Sequence, residues 1–155
     1  MTRARSSLSR RSGFTLFELV ALMVFVGILA AMAGTKLTVV KYQQTVVRAA
    51  STVQTAMEMA YAVAGRNRAP IRISYSSTTG KLTVTKRDGS ITYTTLDFTA
   101  MGLKASDVTV NNSTVDVFPN GWASDTLSVT ISTSRAGATY SRRVRMSKAG
   151  LVKIL

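Results

Sequence analysis

A carboxylate at Glu18, five residues into an apolar run that reaches Thr35, constrains this chain more than any other feature. Leu19 to Thr35 carries no charge, while Arg3, Arg5, Arg10 and Arg11 stand just upstream. The 22 residues Phe14–Thr35 form, as a helix, a rod of about 33 Å. A hydrocarbon core is about 30 Å thick, so the segment is long enough to cross a bilayer. Arginines before the span and none within it favour a cytoplasmic amino terminus. An unpaired acid at the centre of such a helix costs about 2.5–3.5 kcal/mol, so Glu18 needs a partner.

The run Gly13-Phe14-Thr15-Leu16-Phe17-Glu18 resembles the amino-terminal signature of the type IV pilin-like proteins. That group includes pilins and the pseudopilins of type II secretion. The resemblance implies that Gly13 ends a leader and that Phe14 opens the mature chain. It also implies that a membrane-embedded prepilin peptidase cuts between them and N-methylates the new amine of Phe14. Phe17 fills a place more often held by an aliphatic residue, and Thr35 one where many members have proline. The chemistry is consistent with this. A freed α-amine has a pKa near about 7.7–8.0 and is largely cationic at neutral pH. Pairing it with Glu18 of a neighbouring subunit would offset the buried acid and set register during assembly. Two plainer readings compete. Ala31-Met32-Ala33 has the form of a secretory cleavage site, and a simple membrane anchor would need no motif. The acid in the apolar core, and a helical pattern that continues past Ala33, count against both.

Composition narrows the function. With no cysteine, an exported domain here must hold by packing alone. With no histidine, it lacks the commonest general base and metal ligand. Asp88, Asp97, Asp107, Asp116 and Asp125 are scattered without ligand spacing. The expectation is a non-enzymatic protein without catalytic residues, metal or cofactor.

Beyond Thr35, Val39, Tyr42, Val46, Ala49, Val53, Ala56, Ala60 and Val63 recur every three or four residues, the mark of an amphipathic helix. Gly65 and then Pro70 close that pattern. From Ile71 the period changes to two, at Ile71–Tyr75, Leu82–Val84, Ile91–Tyr93, Val108–Val110, Val115–Val117 and Leu127–Ile131. Asp88-Gly89, Asn120-Gly121 and Ala149-Gly150 mark turns, the last between Tyr140–Met146 and Leu151–Ile154. The fold expected is α+β: a long N-terminal helix whose outer half packs on a small, mostly antiparallel sheet. The divisions are a basic leader at 1–13, a transmembrane helix at 14–35, its amphipathic continuation at 36–65, and a periplasmic β domain at 66–155.

Val115–Gly121, the strand at Leu127–Ile131, and Arg143–Gly150 resemble the H-type pseudopilin family, GspH and FimT, although Phe118-Pro119-Asn120-Gly121 lacks that family's spacer residue. The resemblance implies a minor pseudopilin of type II secretion in the inner membrane. Its partners would be the prepilin peptidase and other pilin or pseudopilin subunits.

Loss of the leader would leave 16 basic against seven acidic residues, a charge of +9. From Arg135 onward there are basic residues and no acid. Arg142, Arg143, Arg145, Lys148 and Lys153 are therefore candidates for contact with DNA or with a partner. DNA binding would suit a minor pilin of a transformation pilus, each phosphate contact adding affinity and salt sensitivity. The Gly-Arg-x-Arg element of DNA-binding relatives is replaced here by Gly150-Leu151-Val152-Lys153. A generally basic surface, or one meeting acidic subunits or anionic lipid, is the plainer alternative. Trp122, the only tryptophan, is expected to plug the core beneath a loop rather than meet a partner.

Overall fold

The computed structural model describes residues 14–135 and 137–155; the leader at 1–13 and the side chains at 33–39 and 135 fall outside that description. The chain divides into two compact units, one ending at Leu37 and one running Thr38–Leu155. Helix α1 (Leu16–Asn67) begins in the first and ends in the second.

In the first unit, α1 is apolar on every side. Thirteen large apolar residues from Phe14 to Met32 are more than half exposed. A helix of that kind is stable only when something apolar covers it. Among the described residues no helix is long and apolar enough to cross a membrane. The described side chains of this stretch stop at Met32, short of the end of the 14–35 segment.

In the second unit, α1 becomes one-sided. Val46, Ala49, Val53, Ala56, Ala60 and Val63 are buried as their spacing requires, Tyr42 is partly buried, and Val39 lies outside the described side chains. Ala50, Met57 and Ala64 widen the buried stripe.

The helix end differs from expectation. Gly65 stays helical, and α1 runs on to Asn67. The left-handed residue that ends it is Arg68, at φ +50°, with Pro70 following. Asn67 explains the extra turn, because its Nδ2 donates to the Tyr93 hydroxyl at 2.9 Å and ties the helix end to a strand.

Eight strands follow: β1 (Ile71–Ser76), β2 (Lys81–Lys86), β3 (Thr92–Asp97), β4 (Val108–Val110), β5 (Thr114–Val117), β6 (Leu127–Arg135), β7 (Ala138–Met146) and β8 (Val152–Ile154). They form two four-stranded sheets rather than one, ordered β3-β2-β1-β5 and β4-β6-β7-β8, and every pairing is antiparallel. The chain changes sheet after β3, after β4 and after β5, and the segment between β4 and β5 carries two asparagines. There Asn111 accepts from Ser128 N at 2.6 Å, and Asn112 donates to Thr126 O at 2.9 Å. The two amides give the backbone entering β6 partners in this segment. Strands β6 and β7 extend past the expected Ile131 and Tyr140, and their pairing runs to Arg135↔Ala138. Thr133 lies in that extension and is buried, so its polarity hides a core position. The inner faces of both sheets meet the α1 stripe in one core, with Phe98, Ile73 and Ile131 fully enclosed.

A non-glycine residue in the left-handed region is strained. Arg68→Gly should raise stability by about 0.5–1 kcal/mol in thermal unfolding, once glycine's greater freedom in the unfolded chain is set against the relief of strain. A lower melting temperature would show that the Arg68 side chain contributes more than its backbone costs.

Candidate functional site

The helix start is built by two residues of the signature. Thr15 precedes the first helical residue, and its Oγ1 accepts from Glu18 N at 3.2 Å. Glu18 Oε2 in turn accepts from Thr15 N and from Thr15 Oγ1, both at 3.4 Å. This reciprocal capping box satisfies helix-end N–H groups that otherwise lack partners, and an acid there is favoured by the helix dipole. The sequence reading gave Glu18 an intersubunit role and missed the cap, although the Thr-x-x-Glu spacing was visible. Among the described residues Glu18 enters no ion pair. Phe14, 72% exposed, stands next to this cap. Gly13 and the expected cleavage point lie outside the described residues.

Elsewhere the acids are already engaged. Asp116, on β5, accepts from Arg72 Nε at 2.7 Å and also meets Arg87 Nε at 3.2 Å. The Arg72 hydrogen bond holds the Asp116 carboxyl below the usual range. Asp97 is drawn down to about 2, chiefly by the Thr99 hydroxyl, and also pairs with Lys81. Asp88 meets Lys86, and Asp107 accepts from Lys104 N. Asp125 meets Lys148 at 3.5 Å.

Among the described residues the outer face of the second sheet also carries cations outside any ion pair. Arg143 and Arg145 point outward from β7, while Val144 and Met146 turn into the core. Lys153 of β8 stands directly opposite Arg145, and Ser128 of β6 completes that row. Arg143 Nε donates to Thr130 Oγ1 at 3.2 Å. Like charges directly opposite in a sheet are destabilising. Among the described residues Arg142, Arg143, Arg145 and Lys153 enter no ion pair. Three of the five candidate basic residues thus gather on one face. Arg142 is separate, lining a recess between α1 and β7 with Gln43, Val46 and Tyr140. Lys148 sits in the β7–β8 turn, drawn toward Asp125.

Trp122 departs from expectation: it is 57% exposed, not a core plug. Its neighbour Ala123 fills the interior position and bridges Val117, which turns the tryptophan outward. No three His, Cys, Asp or Glu residues among those described are grouped to hold a metal ion.

No protein-family model and no curated protein matches the chain. Two crystal forms of the type IV minor pilin FimU from Pseudomonas aeruginosa PAO1 are similar in structure. The first has a TM-score of 0.56 at 16% identity, covering 74% of this chain and 90% of FimU. The second has a TM-score of 0.51 at 16% identity, covering 70% and 90%. The fold is therefore type IV pilin-like, an N-terminal helix packed on antiparallel sheets.

Glutamine also completes a capping box, so Glu18→Gln separates the cap from the charge. Glu18→Gln should keep the helix start, whereas Thr15→Ala should weaken the helix end by about 1 kcal/mol, read as helical content of the detergent-solubilised chain. An equal loss of helix in Glu18→Gln would show that the carboxylate charge, and not the capping geometry, holds the end.

Proposed function

We propose that this chain is a minor subunit of a pilin-like filament, made as a precursor, cut after Gly13 and held in the inner membrane by α1. The observation that carries this is the apolar start of the helix. Among the described residues nothing covers its side chains, and burying each one is worth about 1.5–3 kcal/mol. A bilayer before assembly, and neighbouring helices after it, supply that cover. Prepilin peptidase would free and methylate the Phe14 amine, which then meets Glu18 of the next subunit. The amino terminus would lie in the cytoplasm and the β domain in the periplasm.

Within that class, the finer reading is an H-type minor pseudopilin of type II secretion. It rests on the resemblance at Val115–Gly121 and Arg143–Gly150. Its action is mechanical: the subunit caps or initiates a short filament that drives folded proteins outward. A second reading, a DNA-binding minor pilin of a type IV transformation pilus, is favoured by the likeness to FimU and by the basic face of the second sheet.

Deletion of the gene separates the two. The pseudopilin reading predicts that exported enzymes accumulate in the periplasm and return to the medium on complementation. Intact secretion with reduced piliation or DNA uptake would replace it with the type IV pilus reading.

A further inference from the structure

We infer that Trp122 and Leu151, with Arg145, Lys153 and Lys148 around them, form a docking surface for an acidic region of a different protein subunit. The inference rests on the filament-subunit reading and adds the chemistry of the partner.

Two turns that are distant in sequence build this surface. Ala123 N donates to Lys148 O at 2.8 Å. Gly121 O lies 3.2 Å from where a Cβ on Gly150 would sit, so Gly150, at φ +83°, is fitted against the first turn. Trp122 stands between the two residues that touch the second turn, and Leu151 follows Gly150. The first turn is held by Phe118 N to Trp122 O at 2.8 Å and Trp122 N to Asn120 Oδ1 at 3.2 Å. The second is held from behind by Tyr61, whose hydroxyl donates to Ser147 O at 3.1 Å. The tryptophan is thus fixed on a rigid frame while 57% exposed, and Leu151 is 68% exposed.

A preorganised aromatic left in water is the form of an interface hot spot, because docking then costs little ordering. The charge on the adjoining turn and strands selects the partner. Leu151 and Lys153 alternate onto the outer face that also carries Arg145, and Lys148 lies in the adjoining turn. The nearest acid in sequence on either turn, Asp125, already meets Lys148. A second copy would bring the same cations in a two-fold contact and, through another face, aspartates already engaged by Arg72, Lys81, Lys86 and Lys148, so the partner is a different chain with acidic residues around an apolar contact. Nucleic acid is the competing occupant, and the test separates it.

Trp122 is the only tryptophan of this chain, so with partner domains whose own tryptophans are replaced by phenylalanine the fluorescence reports its burial. Detergent-solubilised full-length chain is titrated with the purified periplasmic domains of the other pilin-like proteins of the same host. Parallel titrations use a 20-base single-stranded and a 20-base-pair double-stranded DNA. The expected result is a blue shift with at least one protein domain, weakened by added salt. Binding followed by calorimetry should fall at least about tenfold for Trp122→Ala and again for Arg145→Glu/Lys153→Glu. These side chains are exposed, so the charge variant preserves the test if the alanine variant folds poorly. No shift with any domain, binding indifferent to both variants, a shift on self-association, or tighter binding to DNA would each overturn the inference. The wild-type chain is also assayed in sheared filaments. Its absence there sinks the subunit reading, whereas its presence with unchanged partner binding by the variants sinks this inference alone.

Discussion

Both sheets of the β domain share a single helix face as their interior, and the rest of the fold depends on that contact. Neither four-stranded sheet has a second layer of its own. The stripe from Val46 to Ala64 closes both, and five of its buried residues are alanines. Larger side chains there would hold the helix away and open voids, each costing transfer and cavity free energy. Up to Met32 the same helix is apolar on every side and, among the described residues, uncovered.

Electrostatics divides the surface in a similar way. The first sheet and its loops neutralise their cations with aspartates, as in the Arg72–Asp116–Arg87 group. On the outer face of the second sheet, Arg143, Arg145 and Lys153 enter no ion pair among the described residues, and Arg145 is set opposite Lys153. That arrangement costs stability. A face that carries such a cost is a better candidate for contact than net charge alone would indicate.

Much of the architecture was legible because period-two and helical spacing survive in the sequence. All eight strands overlap the segments that alternation or a turn signal placed, although β3 runs on to Asp97 where alternation ended at Tyr93. The outer helix buries Val46, Ala49, Val53, Ala56, Ala60 and Val63 of the residues its spacing named. Three features were hidden for identifiable reasons. Gly65 reads as a stop, but the Asn67–Tyr93 hydrogen bond carries the helix past it. Thr133 reads as solvent-facing yet is buried, which made β6 seem short. Separation into two sheets depends on long-range amide contacts from Asn111 and Asn112, which local pattern does not encode. The site was less legible. Glu18 drew attention as an anomalous acid, and the neighbouring Thr15 that caps the helix with it was overlooked. Trp122 reads as core by residue type, and only the bridge between Val117 and Ala123 shows that it faces outward.

The central claim is that the apolar helix start is kept, not removed, and begins at Phe14. Intact mass and amino-terminal sequencing of the chain purified from its own membranes test it most directly. The account predicts a chain starting at Phe14 with one added methyl on its α-amine. A chain starting at Gly34, cut after Ala31-Met32-Ala33, would contradict it, because the helix start and Glu18 would then be discarded with a signal peptide.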